Sequence, residues 1–257
     1  MIITLSPSKG QDFETPVVLD DATLPAMLDD SQLLIDVLRK YSVSQVRELM
    51  EVSENIARLN VDRYKSFSLP FTPDNARPAL FAFKGDVYRG IPVQEYTEED
   101  LRFAQEHLRM LSGLYGCLRP LDLIQPYRLE MKTRLKNPRG DNLYQFWGDR
   151  LTQCLNAELA KQKEATLVNL ASNEYFKAVK PKLLEGRLLN IAFKEEKNGK
   201  ARIIAVFAKR ARGMMADFII RNRIESAEDI QGFDREGYRY SRADSDERTW
   251  VFKRPQP

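Results

Sequence analysis

Residues 107–131 read HLRMLSGLYGCLRPLDLIQPYRLEM, and this stretch organises the interpretation of the whole chain. Upstream of it, Thr97 and Asp100 have the spacing of a capping box at the start of a helix. Apolar residues then recur at helical spacing, which predicts that the helix continues through residues 107–111. Gly113 is the residue at which this helix is expected to end.

The segment after Gly113 is too apolar to be an ordinary surface loop, because leucines, prolines and tyrosines alternate there with charged residues. A connection of this composition must be packed, and its buried backbone groups then need hydrogen-bond partners. Two interpretations stay open. It is either a rigid, buried segment that holds three arginines in fixed positions or an ordinary core segment with surface arginines. The three are Arg109, Arg119 and Arg128.

Composition restricts the class of protein. The 257 residues are 43% apolar and 30% charged, as in soluble globular proteins. We find no apolar run of roughly twenty residues, which a membrane-spanning helix needs, and no signal peptide, so we expect a cytoplasmic protein. The single His and two separated Cys argue against a zinc site and predict free thiols in a reducing compartment. We therefore expect neither a metal nor a cofactor.

Positive charge is concentrated late in the chain although the net charge is only +3. Nine basic residues face three acidic ones between Lys194 and Arg223, a local excess that favours polyanions. Residues 209–223 also have helical periodicity. This helix either lies along a phosphate backbone or presents a solvated cationic face.

Strand and helix patterns alternate, which predicts one mixed α/β domain over residues 1–257, with a mixed β-sheet flanked by helices. Residues 24–66 form a candidate helical subdomain within it. Asn198-Gly199 is a strong hairpin signal between two predicted strands. The other main segments are predicted strands at Ile2–Leu5, Leu80–Phe83, Ala165–Leu170, Leu188–Lys194, Ala201–Ala208, Gly237–Tyr240 and Trp250–Lys253, and a helix at Leu143–Lys161.

Two short predicted helices, Val46–Glu51 and Ile56–Arg63, suggest a helix-hairpin-helix, whose turn amides bind phosphate. Its turn would contain Ser53, Glu54 and Asn55. The usual glycines of such a hairpin are missing, so an ordinary helical corner is the alternative.

Four lysines follow predicted strands or sit beside small polar residues: Lys9, Lys84, Lys177 and Lys209. Ligands of open α/β sheets bind beyond the carboxyl ends of strands. If these segments converge there, they make a basic cleft for a phosphate backbone or a small phosphorylated substrate. The single histidine, His107, lies among core positions and is expected to be structural.

Several long motifs resemble the YaaA family of bacterial peroxide stress proteins from one end of the chain to the other. Cys117 departs from that pattern, because we expect an aliphatic residue there. The matching segments are residues 5–9 (LSPSK), 83–88 (FKGDVY), 107–131, 144–149 (YQFWGD), 169–177 (NLASNEYFK) and 209–218.

The resemblance implies a cytoplasmic protein of the peroxide response, linked to lower free iron and less radical damage. It also implies an α/β fold with a basic cleft, a helix-hairpin-helix element and binding of duplex or branched DNA. It supplies no catalytic residues, and the oligomeric state stays open.

Our leading hypothesis is a protein that binds DNA with little sequence preference. The expected phosphate contacts are Lys9, Lys84, Arg119, Arg128, Lys177, Lys209, Arg210 and Arg212. The alternative is an enzyme acting on a phosphorylated or nucleoside-like small molecule in the same cleft. Its working groups would be Lys9, Lys84, Asp86, Tyr115, Arg119 and Asp122. A deep pocket would favour the enzyme, and a shallow groove would favour DNA.

Overall fold

The central feature is a mostly parallel sheet flanked by helices, seen in a computed structural model that describes residues 1–17 and 21–257. The strands are β1 Ile2–Leu5, β2 Gly10–Gln11, β3 Arg77–Pro78, β4 Phe83–Lys84, β5 Leu108–Ser112, β6 Gly116–Leu118, β7 Leu123–Ile124, β8 Thr166–Asn169, β9 Arg187–Lys197, β10 Lys200–Arg202, β11 Arg239–Tyr240 and β12 Thr249–Pro255. The α-helices are α1 Leu28–Leu38, α2 Val43–Met50, α3 Glu54–Ser66, α4 Ala79–Ala82, α5 Glu98–His107, α6 Leu143–Trp147, α7 Arg150–Leu159, α8 Asn173–Phe176 and α9 Ala205–Arg221.

The main sheet runs in the order β11-β12-β9-β8-β1-β5-β6, with β10 paired to β9. Strands β12, β9, β8, β1 and β5 are parallel, whereas β6, β10 and β11 pair antiparallel. The predicted mixed α/β fold is therefore confirmed. Within the described ranges, no helix is long and apolar enough to cross a bilayer.

Strand β1 lies in the middle of the sheet and is buried along its whole length. Its partners are β8 on one side and β5 on the other, with Thr4 opposite both Asn169 and Arg109. A strand covered on both faces needs the continuous apolar run that Ile2–Leu5 provides. The carboxyl ends of β1, β5 and β8 consequently lie side by side.

The predicted helix through residues 107–111 is wrong in its second half. The Thr97–Asp100 capping box is present, but α5 ends at His107 and Leu108–Ser112 is strand β5. All five strand residues are buried, so their apolar run is that of a parallel-sheet strand. Gly113 follows this strand and does not end a helix. A glycine is needed there because a Cβ would lie 2.2 Å from the Leu129 carbonyl oxygen.

Helices α2 and α3 are joined by a tight turn, as predicted, but the turn lies earlier in the chain than expected. The turn is Glu51–Ser53, with Glu51 at φ 52°, and Ser53 caps α3 by accepting a hydrogen bond from the Ile56 amide. Glu54 and Asn55, predicted in the turn, belong to the first turn of α3. The negative charges of Glu51 and Glu54 at this turn would repel a phosphate group, so the turn lacks the charge of a phosphate-binding hairpin.

Other boundaries differ where a glycine or a local turn decides the backbone. The predicted helix Leu143–Lys161 is divided at Gly148, which has φ 53°. Leu80–Phe83 is mostly the single helical turn α4. The second strand of the predicted Asn198-Gly199 hairpin stops at Arg202, and α9 begins at Ala205.

One continuous hydrophobic core joins the early helices to the sheet. Leu34 of α1, Val46 of α2 and Tyr64 of α3 belong to the same buried cluster as β1. The Tyr64 hydroxyl also donates to the Arg128 carbonyl oxygen. The helices near the N-terminus thus support the segment that leads to the carboxyl ends of the strands.

Candidate functional site

The candidate site lies where β1, β5 and β8 end, and we call it the carboxyl edge. It consists of the segments 6–9, 84–90, 127–131 and 172–177. Each segment follows a strand or crosses the end of one. The connections among them decide which predicted residues come together.

A hydroxyl pair joins the segments after β1 and β8. Ser6 Oγ accepts a hydrogen bond from the Ser172 amide at 2.9 Å, and the two hydroxyl oxygens are 3.2 Å apart. The Tyr88 hydroxyl donates to the Ser6 carbonyl oxygen at 2.9 Å, which adds the segment after β4. Both serines are visible in the sequence, but no local pattern predicts that their side chains are in contact.

The segment that crosses the end of β5 is fixed by tyrosine. The hydroxyls of Tyr127 and Ser112 are 2.7 Å apart, and the Tyr127 amide donates to Gln11 Oε1 at 3.1 Å. Burial raises the pKa of Tyr127 to well above its ordinary value. The phenol therefore stays neutral and serves as a hydrogen-bonding support beneath the edge.

Lys9 and Arg128 share one carboxylate. Glu130, which is almost fully buried, pairs with Lys9 and lies 3.9 Å from an Arg128 nitrogen. The Lys9 side chain is still 62% exposed. One buried negative charge thus fixes two cations, and the cation nearer the solvent remains available to an anion.

Lys84 repeats this arrangement on the neighbouring segment. Gly10 pairs with Lys84 across β2 and β4, which places Lys84 beside the segment after β1. Its ammonium lies 2.8 Å from Asp12 Oδ2, while its side chain is 62% exposed. The hydrogen bond from Lys84 and those from Thr15 hold the pKa of Asp12 well below its usual range.

Lys177 lies at the far end of the carboxyl edge, just after α8. Its ammonium is 5.1 Å from the centre of the Tyr144 ring, a cation–π distance. The Tyr144 hydroxyl donates to the Glu174 carbonyl oxygen at 2.9 Å. Among the described residues, no carboxylate lies within 4.0 Å of the Lys177 ammonium.

Two glycines allow helix α9 to pack closely against the carboxyl edge. A Cβ on Gly213 would lie 1.8 Å from the Val87 carbonyl oxygen, and one on Gly90 would lie 2.6 Å from the Met214 nitrogen. The helix therefore packs directly on the segment 84–90. Lys209 shares a helical face with Gly213, one turn earlier.

The three predicted cations of α9 meet different surroundings. Arg210 pairs with Glu236 at 2.7 Å. Lys209 is exposed, and Arg212 is half-buried without a carboxylate partner within the described ranges. Burial lowers the pKa of Arg212. Lys209 and Arg212 are thus the unneutralised charges of this helix.

Arg119 is not at the carboxyl edge. It follows β6, which runs antiparallel to β5, and so lies at the amino end of the parallel strands. There it pairs with buried Asp122 at 2.8 Å and donates to the Leu24 carbonyl oxygen at 3.0 Å. Arg119 and Arg128 are close in the sequence but lie at opposite ends of the parallel strands.

The six working groups of the enzyme alternative do not converge. Tyr115 is fully buried, where its hydroxyl donates to the Gln125 carbonyl oxygen, and Asp122 pairs with Arg119 at the opposite end. The cavity beside Lys9, Arg128 and Glu130 has a volume of only about 10 Å³. That is about the room needed by one water molecule, so this cavity is too small for a phosphorylated substrate.

A larger cavity of about 390 Å³ contains none of those six groups. Phe13, Arg77 and Pro126 are among its lining residues. The described residues include no group of three or more His, Cys, Asp or Glu side chains that could hold a metal ion. His107 is buried and stacks on Phe103 at 4.0 Å.

Comparison with known proteins identifies the family. A family model described as "Peroxide stress protein YaaA" matches residues 1–244. The chain belongs to this family of peroxide stress proteins. Relatives named UPF0246 protein are 52% identical in Azoarcus sp. (strain BH72), 52% in Cellvibrio japonicus and 51% in Saccharophagus degradans, each over 100% of both chains.

Family membership gives the chain a general role in the response to peroxide. It also confirms the resemblance read from the motifs, including those at residues 5–9 and 169–177. Both of these motifs lie at the carboxyl edge and are joined there by the Ser6–Ser172 contact.

Proposed function

We propose that this member of the YaaA family binds DNA along the carboxyl edge and protects it during peroxide stress. The observation that carries the proposal is that four segments in contact with one another each carry an exposed lysine. Lys9 follows β1, Lys177 follows the segment whose Ser172 contacts Ser6, and Lys84 is paired with Gly10. Helix α9, which carries Lys209, packs on the segment 84–90. A row of cations on a shallow surface suits a phosphate backbone, which carries repeated charges at fixed intervals.

The chemistry of these contacts favours binding with little sequence preference. Lysine ammonium groups are compact point charges that contact phosphates without reading bases. Buried Glu130 and Asp12 hold Lys9 and Lys84 in place, so the row is ordered before DNA arrives. A preordered row loses less side-chain entropy on binding than free lysines do.

The first test measures affinity for a duplex as a function of salt. Each phosphate neutralised contributes about −0.9 to the slope of log K against log salt. Changing Lys177 and Lys209 together to Ala should flatten that slope by about 2 and weaken every duplex sequence alike. A salt-independent affinity, or an unchanged slope in the double variant, would contradict the proposal.

The matched control changes two exposed lysines at the other end of the sheet. Lys161 and Lys163 have side chains that are 66% and 90% exposed and lie just before β8. Their joint change to Ala removes the same net charge as the edge variant. It should leave the salt slope as in the unaltered protein, which separates a local edge from a general effect of net charge.

Protection gives a second readout. We expect the protein to reduce nicking of a supercoiled plasmid by ferrous iron and hydrogen peroxide in proportion to DNA coverage. The Lys177/Lys209 variant should protect less than the Lys161/Lys163 variant at equal concentration. Equal protection by the two variants would mean that radical scavenging by protein in solution, and not DNA binding, is responsible.

A further inference from the structure

Two cysteines that the DNA proposal does not use lie on facing elements. Cys117 is in β6 and Cys154 is in α7. Cys117 pairs with Leu111 of β5, so the two share one face of the sheet. Arg109, two residues before Leu111, lies on that face as well because side chains alternate along a strand.

Helix α7 covers this face and brings Cys154 to it. Glu158 of α7 pairs with Arg109 at 2.6 Å, and Cys154 lies one turn before Glu158 on the same side of the helix. This crossing places the two cysteines on facing surfaces of the helix and the sheet, where each thiol shifts the pKa of the other. Both are free cysteines.

The two thiols differ in access and in acidity. Cys117 is 3% exposed, whereas Cys154 is only partly buried. The neighbouring Cys117 thiol lowers the pKa of Cys154, and Arg109 acts in the same direction. The neighbouring Cys154, together with burial, raises the pKa of Cys117. The accessible sulfur is therefore the one favoured as thiolate, which is the nucleophilic form.

We propose that Cys154 and Cys117 are a reversible oxidation site for small hydroperoxides, with Cys154 as the attacking and Cys117 as the resolving thiol. This site is separate from the carboxyl edge and goes beyond DNA binding. A member of a peroxide stress family that carries such a pair of thiols would itself react with the oxidant.

The chemistry balances with hydrogen peroxide as the only oxidant. The Cys154 thiolate attacks one peroxide oxygen, an S–O bond forms, the O–O bond breaks, and the departing hydroxide takes a proton to become water. Cys117 then loses its proton and attacks the Cys154 sulfur, forming the S–S bond and breaking the S–O bond, so that a second water leaves. A thiol reductant reverses the reaction by exchange.

The test treats the reduced, folded full chain with equimolar hydrogen peroxide, blocks remaining thiols and maps peptides by mass. The expected product is an intramolecular Cys117–Cys154 disulfide, about 2 Da lighter than the dithiol. Dithiothreitol should convert it back to the dithiol. This measurement needs no variant. Retention of both free thiols, or disulfides only between chains, would overturn the proposal.

Two variants assign the roles. Cys117→Ser should stop at a sulfenic acid on Cys154 that a dimedone probe captures. Cys154→Ser should lose its remaining thiol at least about tenfold more slowly, because Cys117 is shielded and its thiolate is disfavoured. If Cys117 reacts as fast alone as Cys154 does, the assigned order is wrong.

Discussion

Two arginines at the amino end of the parallel strands and two lysines at the carboxyl edge meet different surroundings. At the amino end, Arg109 is 3% exposed and donates to the Gln105 and Leu108 carbonyl oxygens as well as to Glu158. Arg119 there is paired with Asp122. At the carboxyl edge, Lys9 and Lys84 keep 62% of their side chains exposed.

The difference teaches that a basic residue becomes a ligand contact only if its own partners leave it accessible. Arg109 and Arg119 make internal contacts at the amino end, where their planar donors suit several acceptors at once. The carboxyl-edge lysines need only one buried carboxylate each to be oriented. Stability should therefore depend on the first end, and DNA binding on the second.

The largest expected effect comes from changing Asp122 to Ala at the amino end. Asp122 accepts from Thr23 Oγ1 at 2.7 Å and from the Arg119 amide at 2.8 Å, besides pairing with the guanidinium. Its loss leaves these donors unmatched, so the free energy of unfolding should fall by about 3 kcal/mol. Urea denaturation measures this change.

The same variant tests the separation of the two ends. While it remains folded, its DNA affinity should equal that of the unaltered protein. Asp62→Ala, which removes an exposed carboxylate from α3, is the matched control and should change stability little. Equal losses in the two variants would show that the Asp122 network does not hold the amino end together.

The next largest effect is expected for Gly213→Ala, which tests how α9 joins the carboxyl edge. The new methyl group cannot fit 1.8 Å from the Val87 carbonyl oxygen, so the helix must move away. We expect a loss of about 2 kcal/mol together with weaker DNA binding, because Lys209 moves with the helix. Gly232→Ala, with no atom within 4 Å of its added Cβ, should leave both properties unchanged.

The sequence was sufficient for the class of fold and for elements with a local signature. The capping box of α5, the Asn198-Gly199 hairpin and strand β1 were all predicted from neighbouring residues. It was not sufficient for Leu108–Ser112, because a fully buried strand and a buried helix share the same apolar run. Only the pairing with β1, which is a long-range contact, decides between them.

The candidate site shows the same limit. The lysines after strands were predicted to converge, and the parallel sheet places the segments that carry Lys9 and Lys177 beside each other, while the separate β2–β4 pair places Lys84 beside Gly10. That these lysines form one basic cleft stays a prediction. Arg119 was misplaced because β6 reverses the chain within the central stretch. The Cys117–Cys154 contact had no local signal, since it depends on the packing of α7 against the sheet.

A smaller effect of opposite sign is expected for Glu130→Gln at the carboxyl edge. The change removes the negative charge that neutralises Lys9 and Arg128, while the Gln oxygen can still accept a hydrogen bond that orients Lys9. DNA affinity should rise by about threefold, with a steeper salt dependence. Asp122→Asn, the same chemical change at the amino end, should not raise affinity. A gain in both variants would indicate net charge and not the edge.

The smallest effect concerns His107 at the amino end and its dependence on pH. Its Nδ1 lies 2.8 Å from the Met1 carbonyl oxygen, and the N-terminal amine, Glu106 and Glu225 are the charged groups that act on it. Burial lowers the pKa of His107, while the hydrogen bond to Met1 partly opposes the shift. Below the unfolded pKa of about 6.5, the unfolded chain therefore binds a proton that the folded chain does not.

This difference predicts that His107 contributes stability above pH 6.5 that is lost as the pH falls towards the lowered pKa of the folded state. Thermal unfolding of the unaltered protein and of His107→Gln between pH 7.5 and 5.5 measures it, in a range where most carboxylates stay ionised. The unaltered protein should lose more stability over that interval than the variant. Parallel pH profiles would mean that the imidazole is protonated equally in both states, and that the amino end does not depend on a neutral His107.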